Sequence, residues 1–413
     1  MSAIRKTFPI DNSAILYLSL LRPNHSNTYR FTILLNEPVC PTTLQKAADH
    51  VCPRFPTIIA GFRPGFFAYS VVPANRMPTV EPDPGLLHTM SKSEVHKCAY
   101  RIYYSGCEIS IEAFHALTDG YGAIKSFRTL VAEYLYLKHG VESPERTEML
   151  ESGEPDWQEE LRDAYLDHEK DLPKALPGRN AYQLPGKNRD WQVKNVAEEF
   201  DIRQVLAAAK RNGVSLTAFL TCLMAEAIME IQKRERAGKR LPVRIMVPVD
   251  LRRLFPTTTL RNYIHYVLPT LEPEQADLPR ATRMEAFHHQ LKAQISVEHL
   301  LPQVARNVRV QRSKLFRMIP CAVKCMLTKT VYSFHGESNS SITMTNLGSV
   351  AFSDEMKKYV RGIDVWLTPR RGSPYNCSII SCGDSIRINI TRFAALPEME
   401  ELFFSKLRNA MAE

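Results

Sequence analysis

The chain has 413 residues, of which 44% are hydrophobic and 23% charged, and these are ordinary values for a globular protein of two or three domains. The formal net charge of +9 favours anionic partners, such as nucleic acid, an anionic membrane surface, a phosphorylated cofactor or an acidic carrier protein. The sequence contains no zinc finger, RNP-like aromatic motif or long basic tail, so we expect no nucleic-acid partner.

The N-terminal stretch MSAIRKTFPIDNSAILYLSLLRP does not have the pattern of a secretory signal. Asp11 and Asn12 precede its apolar run, and no small-residue cleavage site follows it. Nowhere do about 18 apolar residues follow one another, as a membrane-spanning helix requires. The nine cysteines are scattered and show neither a CxxC pair nor zinc-ligand spacing. These features predict a cytoplasmic protein with reduced thiols and no bound metal.

The first half of the chain alternates between strand and helix patterns. Strand patterns occur at 28–39, 65–73 and 100–114, and helix patterns occur at 42–56 and 122–140. The third strand pattern predicts a hairpin that turns at Ser105 and Gly106. Gly140 is well placed to end the long helix in a left-handed conformation.

Residues 141–195 are polar, acidic and rich in proline, which is typical of a connector, with one helix at about 157–169. In the second half, strands are predicted at 192–201, 241–251, 263–271, 340–350, 361–369, 375–383 and 385–393, and helices at 202–213, 215–238, 279–299, 302–332 and 397–411. Both halves therefore offer strands and helices of similar kinds. We expect an α/β (α+β) protein of two similar lobes, residues 1–180 and 181–413.

The segment ISIEAFHALTDGYGAIKSF, residues 109–127, joins a strand pattern to a helix pattern. His115 lies where the chain leaves the strand, and Asp119 precedes a helix start at Gly120. A histidine held at a strand end can point into a cleft, and its near-neutral pKa lets it take a proton from an attacking hydroxyl or amine. A purely structural explanation also fits, because Asp caps helices well and Gly permits tight turns.

The motif FHALTDG resembles the HxxxDG signature of the CoA-dependent acyltransferase superfamily, which includes chloramphenicol acetyltransferase, alcohol acetyltransferases and the condensation domains of peptide synthetases. Segments such as FPIDNSAILY, NGVSLTAFLTCLMAEAI, VPVDLRRLFPTTTLRNYIHYV and ITMTNLGSV resemble the superfamily in the same chain order. The resemblance implies two chloramphenicol-acetyltransferase-like lobes, each a mixed sheet with flanking helices, and a tunnel at their interface.

Two departures narrow the resemblance. Condensation domains usually carry two histidines, and here Phe114 occupies the first position, which argues against amide-forming condensation. The segment IDVWLTPRRG lacks the glycine pair of the DFGWG motif found in the plant enzymes. The second departure argues against the plant branch and suits the alcohol acetyltransferase branch.

The resemblance also implies residue roles. It makes His115 the general base, with Gly120 leaving room for substrate beside it. It makes Asp119 a structural residue that pairs with an arginine, for which Arg252 is the first candidate and Arg253 the second. The channel near the lobe interface would include Asn262, Thr345 and Asn346. The oxyanion donor stays open between the hydroxyl of Thr345 or Thr343, the Asn346 amide and a backbone N–H.

The function that the resemblance implies is transfer of an acyl group from acetyl-CoA or another acyl-CoA to a hydroxyl acceptor, a small alcohol or a lipid-like molecule. One alternative uses an acyl carrier protein as donor and an amine or glycolipid as acceptor. A second alternative is a catalytically silent binding module on the same fold. We expect a monomer.

Two further features have two interpretations each. The basic residues at one helix end could contact the phosphates of CoA or could form a solvated helix end, and they are Lys233, Arg234, Arg236, Lys239 and Arg240. Segment 312–334 mixes basic and apolar residues and could contact a membrane peripherally or pack between the lobes. Cys107 precedes His115 by a strand's length, so we do not expect it to act as a nucleophile.

Overall fold

The computed structural model describes residues 7–22, 26–151, 156–168, 180–185, 192–235, 240–370, 373–394 and 397–413. Its strands are β1 Phe8–Pro9, β2 Thr28–Leu35, β3 Ala60–Pro64, β4 Tyr69–Pro73, β5 Val80–Pro82, β6 Tyr100–Ser105, β7 Glu108–Phe114, β8 Lys194–Asp201, β9 Val243–Asp250, β10 Ile264–Val267, β11 Thr270–Leu271, β12 Ile342–Ser349, β13 Val360–Leu367, β14 Tyr375–Cys382 and β15 Ser385–Arg392. Its helices are α1 Ala14–Leu20, α2 Pro41–Val51, α3 Lys92–Lys97, α4 Gly120–His139, α5 Pro144–Leu150, α6 Trp157–Glu160, α7 Ile202–Arg211, α8 Leu216–Glu235, α9 Arg280–Gln294, α10 Val297–Arg312, α11 Lys314–Met318, α12 Cys321–Val331, α13 Asp354–Lys357 and α14 Glu398–Ala412.

A five-stranded sheet in the order β13-β2-β7-β6-β5 is the main sheet of the first half. Its edge strand β13 comes from the second half of the sequence and pairs antiparallel with β2, with Val365 opposite Phe31. The buried carboxylate of Asp364 in β13 accepts a hydrogen bond from Asn389 of β15 at 2.5 Å. One strand therefore ties the two halves together, and the division at residue 180 stays a prediction.

The larger sheet of the second half has the order β10-β9-β12-β14-β15-β8, with β11 added beside β9. Strand β12 runs parallel to both neighbours, but it pairs with β9 only at Ile342 and Thr343, whereas its pairing with β14 continues beyond Thr343. Strands β9 and β12 therefore separate after Thr343. This separation leaves Thr345 and Asn346 beside a cavity between the two halves.

The strand-to-helix junction of the HxxxDG motif has the predicted form. Strand β7 ends at Phe114, and α4 begins at Gly120 with the Asp119 side chain accepting from the backbone N–H groups of Tyr121 and Gly122. The helix ends at Gly140, which has a φ of 70°. Glycine adopts this left-handed conformation without the steric strain that a Cβ would introduce.

Several element predictions differ from the structure, among them the helix expected over 302–332, which is divided between α10, α11 and α12. The strand expected over 65–73 is confined to β4, because the backbone N–H of Gly65 donates to Ala68 O at 2.9 Å and closes a turn. The helix expected over 157–169 is α6 followed by a separate 3₁₀ turn. The helix expected over 279–299 stops at Gln294, and the Ser296 side chain caps a new helix, α10.

No single helix within the described residues has the length and apolar content needed to cross a bilayer, and α7 with α8 meet that test only as a pair bent by 82°.

Candidate functional site

A cavity of about 1660 Å³ lies between the two halves of the chain. The first half contributes His115 and residues of α1, β2 and α4, and the second half contributes residues of β9, β10 and β12. Helices α10 to α12 supply apolar lining residues, among them Val304, Phe316 and Leu327. Ligand sites commonly occur where two lobes meet around an apolar cleft with a few polar groups.

His115 lies directly after β7 and borders this cavity. Its backbone N–H donates to Asn27 O at 2.8 Å, which fixes the position where the chain leaves the sheet. The imidazole stacks on the Tyr17 ring, with centroids 4.4 Å apart, and meets the edge of the Tyr29 ring at 5.2 Å. The Tyr29 hydroxyl donates to Thr118 O, so this second ring is itself held in place.

A chain of polar side chains fixes the orientation of the His115 ring. Its Nδ1 lies 3.1 Å from Asn262 Oδ1, and Asn262 Nδ2 donates to Asp11 Oδ2 at 3.2 Å. Because the Asp11 carboxylate can only accept, the Asn262 amide must present its oxygen to the histidine. His115 therefore carries its proton on Nδ1, and Nε2 is left as the proton acceptor.

The environment of His115 keeps the imidazole neutral. Burial lowers the pKa of His115 below its ordinary value of 6.5, and the nearby charges of Asp119 and Asp11 oppose this effect. A further acid, Asp163, lies close enough to Asp11 to interact with its charge. Burial and, second, the Asp11 charge raise the pKa of Asp163 to about 7. Neutral imidazole is the form that a general base requires.

The Asp119 carboxylate is fully engaged in structural contacts. Oδ1 accepts from the N–H groups of Tyr121 at 3.1 Å and Gly122 at 3.3 Å. Oδ2 accepts from Arg252 Nη1 and from the backbone N–H of Tyr263, both at 2.8 Å. The expected pair of Asp119 with Arg252 is thus present, and the second candidate, Arg253, is not its partner. The contribution of Asp119 to a reaction stays a prediction.

Arg252 also holds the loop that presents Asn262. Its guanidinium donates to the carbonyl oxygen of Thr259 at 2.9 and 3.0 Å, and to that of Arg261 at 2.6 Å. The side chain is buried, and it lies over the Tyr121 ring at 4.5 Å. One residue therefore connects the start of α4 with the loop before β10.

Gly120 and Gly122 meet very different surroundings. A Cβ on Gly120 would lie 2.8 Å from the tip of the Leu347 side chain, which can move. A Cβ on Gly122 would lie 2.2 Å from both Leu260 O and Thr118 Oγ1. The expected role of Gly120, space beside the histidine, stays a prediction, whereas Gly122 makes the close approach that sequence analysis overlooked.

Gly122→Ala is expected to destabilise the protein by about 1–3 kcal/mol or more, because the added methyl group meets a backbone carbonyl that is fixed by packing. Gly120→Ala is the matched control and should change stability by less than about 1 kcal/mol, since only a flexible side chain must shift. Urea denaturation of both variants measures the difference. Equal denaturation midpoints would contradict the assignment of Gly122 as the packing contact.

Thr345 and Asn346 border the cavity from β12, but their side chains are used differently. Asn346 Nδ2 donates to Thr217 Oγ1 at 3.1 Å, and its Oδ1 accepts from Gly348 N at 3.0 Å. These contacts engage its oxygen and one of its two N–H donors and fix the orientation of its amide. The Thr345 hydroxyl has no protein partner within the described ranges and faces the same cavity.

Five lysine and arginine residues line the cavity. Lys125, Arg128 and Arg252 pair with carboxylates. Arg253 and Arg370 have no carboxylate partner in the part of the chain that the structure describes, and buried Nε and Nη1 of Arg370 have no hydrogen-bond partner there. The carboxylates of Asp119, Glu145, Glu148 and Asp250 line the same cavity, so charges of both signs face it.

The basic residues at the end of α8 lie elsewhere. Lys233 pairs with Asp277 at 2.7 Å, and Arg234 pairs with Glu230 at 2.5 Å. Arg240 lies 3.9 Å from Asp277, while Arg236 and Lys239 fall outside the described residues. None of the three described side chains lines the cavity, so the solvated helix end is the better interpretation.

Sequence analysis overlooked several residues of the site. Asp11, Tyr17 and Tyr29 all border His115 or orient it. Asp11 stands in the segment FPIDNSAILY, where its carboxylate caps α1 by accepting from Ala14 N at 2.9 Å. That local signal indicates a helix start and nothing more. Cys107 lies at the hairpin turn, at the opposite end of β7 from His115.

Comparisons with known proteins show which solved structures share this fold. No protein-family model matches the sequence, and no curated protein matches it. TRI101 of F. sporotrichioides, in a complex with coenzyme A and T-2, aligns with a TM-score of 0.63 at 12% identity over 97% of this chain and 97% of that chain. The epimerization domain from the third module of tyrocidine synthetase B gives a TM-score of 0.62 at 11% identity over 99% and 96% of the two chains.

The wax ester synthase/diacylglycerol acyltransferase from Marinobacter aquaeolei VT8 aligns with a TM-score of 0.57 at 12% identity over 98% of this chain and 99% of that chain. The three structures each match nearly full length, and their low identity limits the likeness to the fold. The fold class predicted from the HxxxDG resemblance is confirmed. The chain has the two-lobed α/β fold of the CoA-dependent acyltransferases and condensation domains.

Proposed function

We propose that the protein is an acyltransferase that moves an acyl group from an acyl-CoA to a hydroxyl acceptor, with His115 as the general base. One observation carries the proposal. The neutral His115 imidazole borders a large interlobe cavity with its Nδ1 proton held by Asn262 and its Nε2 available as acceptor. A silent binding module has no need for a histidine whose tautomer is fixed in this way.

The proposed reaction is a direct transfer without an acyl-enzyme. Nε2 of His115 takes the proton of the acceptor hydroxyl while the oxygen attacks the thioester carbonyl. The tetrahedral intermediate then collapses as the C–S bond breaks. The imidazolium returns its proton to the departing thiolate, so the products are an ester and free CoA and the base is regenerated.

The oxyanion of the intermediate requires a hydrogen-bond donor in the cavity. We assign this role to the Thr345 hydroxyl, because Thr345 lines the cavity and its hydroxyl has no other partner among the described residues, whereas the Asn346 side chain is held by Thr217 and Gly348. Removing one such donor commonly raises the activation barrier by about 3 kcal/mol. Asn262 and Asp11 act through His115 and are positioning residues.

Two observations support CoA as the donor carrier. The guanidinium groups of Arg253 and Arg370 border the cavity without a carboxylate partner among the described residues, so they are available to contact a phosphorylated substrate. TRI101, which has a related fold, was solved in a complex with coenzyme A. An acyl group on a carrier protein has the same thioester chemistry, so the donor must be tested in both forms.

The test is release of free thiol from acetyl-, butyryl- and palmitoyl-CoA with a panel of alcohols, and from the same acyl groups on an acyl carrier protein. We expect thiol release to depend on the alcohol and an ester to form in equal amount. Release that proceeds equally without an acceptor would indicate a hydrolase and contradict the proposal. Release from the carrier-bound thioester alone would replace CoA as the donor.

A further inference from the structure

The turn between β3 and β4 and the helices α11 and α12 present large apolar side chains to solvent. Within the described residues, six large hydrophobic side chains are more than half exposed, and they are Phe66, Val310, Leu315, Met318, Met326 and Val331. Leu315 is 78% exposed, Met318 73% and Phe66 72%. All six come from this turn or from residues 310–331, and such grouping of exposed apolar side chains marks a contact surface.

Hydrogen bonds donated by one buried lysine of α12 join the β3–β4 turn to α11 and α12. Lys324 Nζ donates to Phe67 O of the β3–β4 turn at 2.6 Å and to Arg317 O of α11 at 3.3 Å. The backbone N–H of Cys321, at the start of α12, donates to Phe66 O at 2.7 Å. The turn, α11 and α12 therefore form one surface, which we call the apolar-basic face (residues 64–69 and 314–331) and which includes all six of these exposed side chains except Val310 of α10.

The charge of this region is uniformly positive. Between Glu298 and Glu337 the sequence has seven lysine and arginine residues and neither an aspartate nor a glutamate. Lys314, Arg317 and Lys329 are exposed and form no ion pair in the described part of the chain. Apolar side chains interspersed with unpaired cations complement a surface that is anionic outside and apolar beneath, as an anionic bilayer is.

The same helices line the cavity on their inner side. Phe316 of α11 and Leu327 of α12 border the space that His115 also borders. Val331 is 60% exposed and contributes to the cavity lining as well. The apolar-basic face and the reaction space are thus separated by only the thickness of these helices.

We propose that the apolar-basic face docks the protein on an anionic lipid surface, and that the cavity takes a lipid-like amphiphile from that surface. The docking stands on the composition and exposure of the face alone. The delivery of substrate rests on the proposed function and deepens it by naming the substrate class. Segment 312–334 then serves as a membrane contact as well as a cavity wall.

The test is cosedimentation of the full chain with vesicles of phosphatidylcholine containing one third phosphatidylglycerol, compared with vesicles of phosphatidylcholine alone. We expect binding to the anionic vesicles that weakens as salt rises. Lys314→Gln with Arg317→Gln should reduce the partition coefficient about fivefold for each charge removed. Leu315→Glu with Met318→Glu should reduce it by about tenfold or more for each side chain.

Leu206→Glu on α7 is the matched control, because Leu206 is also exposed and lies outside the face. This variant should bind vesicles as the unmodified chain does, and circular dichroism should show that all variants fold. Wild type that stays in the supernatant, or Leu315→Glu with Met318→Glu that binds undiminished, would overturn the proposal. If the wild type is a dimer and Leu315→Glu with Met318→Glu makes it monomeric, a second copy of the chain, and not a lipid surface, covers the face.

Vesicle binding does not require acyl transfer, so failure of the docking and failure of the proposed function are distinguishable. If the protein binds anionic vesicles, acceptors embedded in them should be acylated faster than the same acceptors in neutral vesicles. Binding without any difference in that rate would refute delivery from the surface and leave the docking intact.

Discussion

Replacing His115 by alanine is expected to lower kcat/KM for acyl transfer by about 10²–10⁴-fold, the usual contribution of a positioned general base. The change removes the imidazole that borders the cavity, while the Asn262–Asp11 contact that orients the ring remains. The measurement is the initial rate of thiol release with the best donor and acceptor pair. Circular dichroism and thermal denaturation must show that the variant keeps its fold.

Two variants make this prediction specific. Glutamine in His115→Gln is closer in size to histidine and can still form hydrogen bonds, but its amide cannot accept a proton from the acceptor hydroxyl. The loss of kcat/KM should therefore be as large as for alanine. His265→Ala is the matched control, since His265 also lines the cavity and its Nδ1 accepts from the N–H of Tyr266 at 2.8 Å. Full activity in His115→Gln would exclude His115 as the base, and loss confined to His265→Ala would assign that role to His265.

The pH dependence tests the same assignment. The base must be neutral, and burial lowers the pKa of His115, so kcat/KM should be constant at neutral pH and fall only below pH 6.5. The Asp11 charge raises this pKa. Asp11→Asn removes that charge and can still cap α1, so the acid limb should move to lower pH. An acid limb that does not move would exclude coupling between Asp11 and His115.

Local sequence patterns were sufficient to predict the elements that carry His115. Strand alternation up to Phe114, the Asp119 cap and the three-and-four spacing of α4 are encoded within about 30 consecutive residues, and the structure has each of them. The pair of Asp119 with Arg252 was found through resemblance to a family, because no local pattern links residues 133 positions apart.

The remaining features depend on packing that a single sequence does not display. Asp11 and Asn262 are 251 positions apart, and each looks like an ordinary turn or cap residue in its own segment. The insertion of β13 beside β2 likewise follows from how the halves meet. Gly122 differs from Gly120 only through its approach to Leu260, which becomes visible when both lobes are in place.

Arg252→Met is expected to destabilise the protein by about 3–5 kcal/mol, the range found when one partner of a buried ion pair is removed. The side chains of Arg252 and Asp119 are 6% and 2% exposed, so solvent cannot replace the lost contacts. Thr259 O and Arg261 O lose donors as well. Arg252→Lys should also lose stability, because a single ammonium group cannot span the contacts of the guanidinium fork.

Arg234→Met is the control for the loss of an arginine with surface ion pairs, because Arg234 is 54% exposed and its partners Glu230 and Glu398 are 34% and 44% exposed. It should change stability by about 1 kcal/mol or less. A double-mutant cycle of Arg252→Met with Asp119→Asn then isolates the buried pair. We expect the double variant to be more stable than the sum of the single losses predicts, with a coupling of about 0.5–3 kcal/mol. Strict additivity would mean that Arg252 stabilises the protein independently of Asp119, through its contacts with the carbonyl groups of the loop before β10 and with Asp250.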